Sequence, residues 1–258
     1  MDLFQIAVGE GPLIAAAIHN GHYLRPEIAD VIALTDSDRL REEDPYTAEL
    51  IDWAPTRLIG CRSRYEMDLN RPRDQAVYLT PEQAWGVNVW RRQLAPDAIQ
   101  RSLANYDLFH NSAEALLRSL VHRHGRVIVL DVHSYNHRRE GAEGAPANPA
   151  ENPDVNIGTG SLDRDRWEPI VNGFINDLSH INFLGRQLDV RENVKFQGGH
   201  FCRWIHATFP KSVCALAVEF KKFFMDEWTG ESDPRQLAEL RKALQSTAPG
   251  LLQQLFQA

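Results

Sequence analysis

Cysteine is scarce: Cys61, Cys202 and Cys214 are the three in 258 residues, and no two stand as a Cys-x-x-Cys pair. An odd, scattered set excludes both a disulfide framework and a cysteine-built zinc site, leaving buried thiols as the expected state. No apolar run is long enough to cross a bilayer, and Met1-Asp2-Leu3-Phe4-Gln5 has neither the basic start nor the apolar core of a secretion signal. A cytoplasmic protein with no membrane partner is expected. Basic excess is also missing, with 28 Lys and Arg against 35 Asp and Glu and a formal net charge of -7. A phosphate backbone would meet no favourable global field, so nucleic acid is not an expected partner. Internal repeats are absent.

With 43% of residues hydrophobic, the chain is long enough for one large α/β core and short for two, so residues 1–258 read as a single domain. Apolar runs at 3–8 and 12–18 flank the turn Gly9-Glu10-Gly11-Pro12 and predict two opening strands, the second delivering His19 at its end. The polar stretch 19–44 holds a short helix, 45–53 reads as another helix, and 57–61 as a strand. Residues 72–96 show no period. From 96 to 124 the spacing of Ile99, Leu103, Leu108, Ala113, Leu116, Leu117 and Leu120 predicts an amphipathic helix, broken near Asn105 and stopped at Gly125. Val127-Ile128-Val129-Leu130 reads as a strand buried on both faces. It runs into Asp131-Val132-His133-Ser134, at the C-terminal strand end where open α/β sheets carry their sites. The Gly-, Ala-, Pro- and Asn-rich stretch 138–154 reads as a mobile loop, a candidate lid. Strands near 155–158, 187–190 and 213–220, with helices over 165–178 and 234–257, complete the pattern. The alternation predicts an α/β fold of three layers, α/β/α, around a mixed sheet.

His19 and His133, each at the end of a buried strand, have the residue type and placement of a His₂-carboxylate zinc site with one position open to water. Either histidine alone reads first as a cap or a solvent-facing residue; the pair favours the metal. The carboxylate stays open among Asp36, Asp38, Glu42, Glu43 and Asp44, all in the polar segment after His19. Arg62-Ser63-Arg64-Tyr65-Glu66-Met67-Asp68-Leu69-Asn70-Arg71 places three arginines directly after a strand, suited to gripping a carboxylate or polarising a carbonyl. Its competing reading is a surface ion-pair network with Glu66 and Asp68. Glu219 interrupts the apolar run Cys214-Ala215-Leu216-Ala217-Val218 and is a candidate base whose pKa burial beside a metal would set. The alternative is a structural pair with Lys221 or Lys222, although those lysines read as the strand's exit to solvent. Phe196-Gln197-Gly198-Gly199-His200-Phe201-Cys202-Arg203 joins a Gly-Gly turn, which lets backbone approach a ligand, to an arginine.

In this order, over about residues 12–228, the pieces resemble the N-formylglutamate amidohydrolase family, related to the zinc carboxypeptidase and aspartoacylase group. The resemblance rests on Ile18-His19-Asn20-Gly21, Glu42-Glu43-Asp44, Ser63-Arg64-Tyr65, Asp68-Leu69-Asn70-Arg71, Asp131-Val132-His133-Ser134, Phe196-Gln197-Gly198-Gly199 and Glu219. The arginine and Asp-x-His-Ser segments are its specific parts. It implies a zinc carboxypeptidase-like fold and one divalent ion per chain, zinc or another, held by His19, Asp44 and His133. Asp44 aligns with the last aspartate of the family's Asp-Thr-Asp, although Glu42 replaces the first and Pro45 follows. The resemblance further implies Glu219 as base, Arg64 as oxyanion stabiliser, and Asn70, Arg71 and Arg203 as partners of substrate carboxylates. The implied reaction is hydrolysis of a small acidic N-acyl amino acid, N-formyl-L-glutamate to formate and L-glutamate. The rivals are a zinc exopeptidase, a deacylase of another acylated amino acid, and a non-catalytic binding module on the same fold. A cavity too narrow for a peptide would set aside the exopeptidase.

Overall fold

The computed structural model describes residues 2–257. Its strands are β1 (Phe4–Ala7), β2 (Leu13–Ala17), β3 (Thr56–Gly60), β4 (Val127–Tyr135), β5 (Val155–Gly158), β6 (Val190–Glu192) and β7 (Val213–Lys221). They form one sheet in the order β1-β3-β2-β4-β7-β5-β6. The central four, β3, β2, β4 and β7, are parallel; β1 closes one edge antiparallel, β5 lies antiparallel to β7, and β6 is parallel to β5. The helices are α1 (Pro26–Ala29), α2 (Asp36–Glu42), α3 (Thr47–Leu50), α4 (Pro96–His124), α5 (Glu168–Ser179), α6 (His200–Thr208) and α7 (Pro234–Gln257). Among the described residues no helix is long and apolar enough to cross a membrane.

Period-two alternation along the central strands makes the layers. Leu13, Ala15, Ala17, Ile128, Leu130, Val132, Leu216 and Val218 pack into one core with α5 and α7. Ile14, Ala16, Val127, Val129, Val213, Ala215 and Ala217 pack into the other with α4 and α6. Each strand is therefore apolar on both faces, as buried parallel strands are. On the α4/α6 face the apolar series changes to polar toward the strand ends. Val127 and Val129 give way to Asp131 and His133, and Val213, Ala215 and Ala217 to Glu219. The chain leaves β2 for β3 on one side and next enters β4 on the other, so β2 lies at a reversal of strand order. A crevice opens beyond the carboxyl ends of strands at such a point, and there His19 follows β2.

The elements agree with the sequence reading in most places and differ in a few. Helix α4 runs unbroken through Asn105, because Ser102 and Tyr106 carry its buried stripe between Ala98 and Phe109. The 45–53 helix is the single turn α3, β6 lies at Val190–Glu192 rather than at 187–190, and 72–96 contains two 3₁₀ turns, Arg73–Gln75 and Pro81–Ala84. Helix α6 has no counterpart in the sequence reading. Gly199 at its start offers no capping side chain; the Phe201 N–H donates instead to Asn70 Oδ1 at 2.8 Å and the His200 N–H to the Asn70 carbonyl at 3.2 Å. A cap supplied from so far away in sequence leaves no local signal.

A Cβ added at Gly199 would lie 2.1 Å to 2.3 Å from the Asn70 amide. Gly199→Ala must displace that amide and with it the start of α6. A loss of about 1–3 kcal/mol is expected, read as a lower urea midpoint at unchanged m-value. An unchanged midpoint would show that Asn70 does not anchor the helix.

Candidate metal centre and active site

His19 and His133 turn their Nδ1 atoms toward one carboxylate oxygen: Asp44 Oδ2 lies 3.5 Å from the first and 2.8 Å from the second. One ligand atom from each of the three residues lies within 4.8 Å of the others, and all three residues are buried. The backbone holds the arrangement, since the Asp44 N–H donates to the His19 carbonyl at 3.0 Å. The far nitrogens are taken: His19 Nε2 lies 2.7 Å from Asp68 Oδ1, and His133 Nε2 lies 3.1 Å from Asp131 Oδ2. A carboxylate on Nε2 keeps the proton there and leaves the Nδ1 lone pair bare, the way carboxylates orient metal-ligating imidazoles. Two bare lone pairs beside a carboxylate repel one another, so the donor set fits a divalent cation at their common point.

The charges around the cluster support that fit. Burial opposes ionisation of Asp44, yet the imidazoles of His133 and His19 hold its carboxyl well below the usual range. Burial likewise opposes charge on His133, and Asp131, Asp44 and Glu219 together raise its pKa well above the ordinary histidine value. The pocket thus carries surplus negative charge, which a proton on His133 meets and a divalent cation would meet in its place. Asp68 is held well below the usual carboxylate range despite its burial, chiefly by Arg64 and His19.

Glu219 sits beside His133 in register across β4 and β7, and its side chain forms no hydrogen bond or ion pair among the described residues. Burial pushes its pKa up to about 7, with Asp44 and Asp131 adding to the shift and His133 and His19 opposing it. Arg64 Nη2 donates to Asp68 Oδ2 at 2.8 Å, Nη1 to the Glu42 carbonyl at 3.2 Å and Nε to Tyr78 Oη at 3.4 Å.

Of the five acidic residues left open by the sequence, only Asp44 lies between both histidines. Asp36 is exposed and pairs with Arg39, while Asp38 caps α2 through Thr35. Glu42 pairs with Arg41 and accepts from Asn136. Glu43 is buried against His22 Nδ1 at 2.5 Å, the Ser63 hydroxyl and Arg39.

A cavity of about 710 Å³ holds His19, Asp44, Arg64, Asn70, His133 and Glu219 together. Arg71 and Arg203, expected as carboxylate partners, do not line it. The Arg71 guanidinium donates to the Gln83 carbonyl at 3.1 Å and lies over Tyr78 and Trp85, and Arg203, exposed on α6, donates to the Gly198 carbonyl at 2.9 Å. The cations that do line it include Lys195 and Arg139, which no sequence motif had marked. Two expectations are corrected. Glu66 and Asp68 are fully buried and are not a surface network. Lys222 is 1% exposed rather than at an exit to solvent, and its Nζ donates to the carbonyls of Arg41 at 2.6 Å and Glu43 at 2.7 Å, gripping the segment that carries Asp44. Burial draws the Lys222 pKa down to about 8. A buried lysine that bonds only carbonyls has no sequence signature beyond the charge itself.

Similar structures share this architecture. An N-formylglutamate amidohydrolase from Ralstonia eutropha JMP134 is 19% identical, with a TM-score of 0.72 over 98% of this chain and 97% of that one. A gene product of Agrobacterium tumefaciens is 15% identical, with a TM-score of 0.70 over 97% and 95%. At these identities the likeness shows the fold. A comparison with curated proteins gave no match. The family model for N-formylglutamate amidohydrolase matches residues 11–225, which take in every residue of the cluster and the candidate base, and the chain therefore belongs to the N-formylglutamate amidohydrolase family.

Proposed function

We propose that the chain, acting as one catalytic domain over residues 1–258, hydrolyses the amide bond of small N-acyl amino acids, with His19, Asp44 and His133 holding a divalent cation. Zinc is the best fit to two nitrogens and one carboxylate. The observation that carries this reading is the Asp44 carboxylate set against two imidazole Nδ1 atoms with an unpaired Glu219 beside them. Membership of an amidohydrolase family supports hydrolase activity. N-formyl-L-glutamate, giving formate and L-glutamate, is the reference substrate because the family bears its name.

When bound, such a cation supplies Lewis-acid polarisation of a carbonyl and acidifies water. Glu219 accepts the proton of the attacking water and returns it to the departing amine, a two-way role suited to a carboxyl with its pKa near 7. Arg64 spends only part of its five N–H donors on Asp68, Glu42 and Tyr78, and its remaining donors stabilise the oxygen that gains charge. Asp68 and Asp131 keep the imidazoles turned, and Lys222 keeps the Asp44 segment in place. Asn70 stays in the substrate-binding set because its side chain lines the cavity, whereas Lys195 and Arg139 replace Arg71 and Arg203 as partners of a substrate carboxylate. A zinc exopeptidase is the second reading, because a cavity of about 710 Å³ admits a dipeptide as well as an N-acyl amino acid.

Chelator-treated protein is expected to take up one equivalent of zinc, and His133→Ala none. Zinc at a hundredfold over its Kd should stabilise the fold by about 2.7 kcal/mol, seen as a higher thermal midpoint. Wild-type protein that takes up no zinc would remove the metal from the proposal.

Glu219→Gln should keep fold and zinc while kcat falls by roughly a hundredfold to ten-thousandfold. The base works as carboxylate, so wild-type kcat/KM should decline as pH falls through the Glu219 pKa. In metal-free protein the same shift acts on stability with the opposite sense. The folded pKa of about 7 exceeds the ordinary 4.5, so the contribution is full below 4.5 and is lost as pH rises through about 7. Melting wild type beside Glu219→Gln from about pH 5 to about pH 8 reads that difference. A wild-type kcat in Glu219→Gln would assign the proton to another group.

Lys195→Met should raise KM for a carboxylate substrate roughly tenfold with little effect on kcat, as loss of one charge-assisted hydrogen bond implies. Unchanged KM would place the carboxylate elsewhere.

A further inference from the structure

The amide chemistry leaves Trp85 unexplained. This residue follows the 3₁₀ turn Pro81–Ala84 with φ 54° and ψ 33°, in the left-handed region where a bulky side chain is strained. Its side chain is 58% exposed and lines the cavity next to Val87. Exposure alone would leave such a ring free to relax. Instead the guanidinium carbons of Arg64 and Arg71 lie 5.0 Å and 5.3 Å from its ring centroid, and Tyr78 meets it edge-on at 5.9 Å. The ring is therefore held, on strained backbone, at the cavity wall. This is what Arg71 does in place of the clamp expected from the sequence.

Further aromatic surface lines the same cavity, where Tyr135 and Phe196 meet edge to face at 5.5 Å. The volume points the same way. A cavity of about 710 Å³ falls in the range of roughly 300–1,000 Å³ that encloses drug-sized ligands, whereas N-formyl-L-glutamate has only about a dozen non-hydrogen atoms. Such a ligand would leave most of the apolar wall in contact with water.

We infer that the site takes N-acyl amino acids bearing an aromatic ring, which packs against the indole of Trp85. This deepens the proposed hydrolase reading and rests on it. The ring belongs either to the amino acid or to the acyl group, and the two sources are separable by substrate.

Zinc-loaded protein is assayed with N-formyl-L-glutamate, with N-formyl-L-phenylalanine, whose ring is on the amino acid, and with N-phenylacetyl-L-glutamate, whose ring is on the acyl group. One of the ring-bearing compounds should exceed N-formyl-L-glutamate in kcat/KM by about tenfold, the scale of discrimination an apolar pocket provides. Trp85→Ala should erase most of that ratio. Trp85→Gly, which also relieves the left-handed backbone, should erase it without lowering the thermal midpoint. The inference is overturned if N-formyl-L-glutamate equals or exceeds both ring-bearing compounds in the wild type, or if Trp85→Ala leaves the ratio unchanged. Calorimetric binding of the three compounds on the same preparations separates this failure from that of the hydrolase reading. Ring-dependent binding lost in Trp85→Ala, with no turnover of any compound, upholds the aromatic site and removes the hydrolase. Fast turnover of N-formyl-L-glutamate alone does the reverse, and neither turnover nor ring-dependent binding removes both.

Discussion

Asp44 is a carboxylate taken out of water and set against two imidazoles, and burying such a charge costs several kcal/mol unless close partners offset it. The surrounding residues supply those partners in sequence. His19 and His133 face Asp44, and each passes its far nitrogen to another buried carboxylate, Asp68 or Asp131. Asp68 in turn is met by Arg64 and the Tyr78 hydroxyl, and Asp131 by the Cys202 thiol at 3.5 Å. A network of this kind is rigid only when its members are satisfied; here Asp131 Oδ1 is buried without a partner and the centre carries surplus negative charge. Sheet topology makes the network possible. A reversal of strand order at β2 brings the ends of separate strands to one crevice, so residues far apart in the chain share a single low-dielectric site.

That topology also explains why the histidines were legible from local pattern, whereas in the sequence their carboxylate, Asp44, was singled out only by the family resemblance. Strand ends announce themselves, because an apolar run followed at once by a polar side chain is a local pattern, and both His19 and His133 follow one. Glu219 was visible for the related reason that it breaks such a run. Asp44 lies in a segment with five acidic residues and no period, where only the fold distinguishes a carboxylate between two imidazoles from one that caps α2 or pairs with Arg39. Composition could not show that the Glu66 and Asp68 pair is interior, since arginine and carboxylate neighbours read alike on a surface and in a core. Helix α6 was missed because its cap comes from Asn70, and Lys222 because two lysines after a strand normally mark solvent. Arg71 and Arg203 have the residue type of a carboxylate clamp, but each gives one donor to a backbone carbonyl, of Gln83 or Gly198, and neither lines the cavity.

Local rules are broken where the site is built. Trp85 occupies a backbone region that suits glycine, and Gly199 is confined by the amide of Asn70 instead of by its own φ. Lys222 is buried without a carboxylate. Propensity, pattern and packing agree in the two apolar faces of β2 and the unbroken stripe of α4, while Leu184 at φ 51° and Pro249 inside α7 are exceptions away from the site. Conflicts between local preference and global fold that gather around one cavity point to a constraint other than stability there.

The net charge of -7 describes the surface as a whole and misdescribes the cavity. Among the cations that line it, Arg64 is committed to Asp68, Arg41 to Glu42, and Lys222 to two backbone carbonyls. Lys195, half-buried, bonds only the neutral Asn152 amide, and Arg139 is exposed; neither forms an ion pair among the described residues. The buried end of the cavity is thus acidic, with Asp44 and Glu219 on its wall and Asp68 and Asp131 behind the histidines, while the uncommitted positive charge lies nearer to solvent. Coulombic interactions strengthen as the dielectric falls, so without a cation in the cluster an anionic group is repelled from the buried end more strongly than it is drawn by cations in contact with water, and a divalent cation would offset that repulsion. In the proposed reading a substrate carboxylate stays with Lys195 and Arg139, and the part of the same molecule that descends to His19, Asp44 and His133 is an uncharged one. An amide meets that condition, and because its carbonyl oxygen is the negative end of the bond dipole, it would turn toward the cluster only with a cation there to offset the carboxylates.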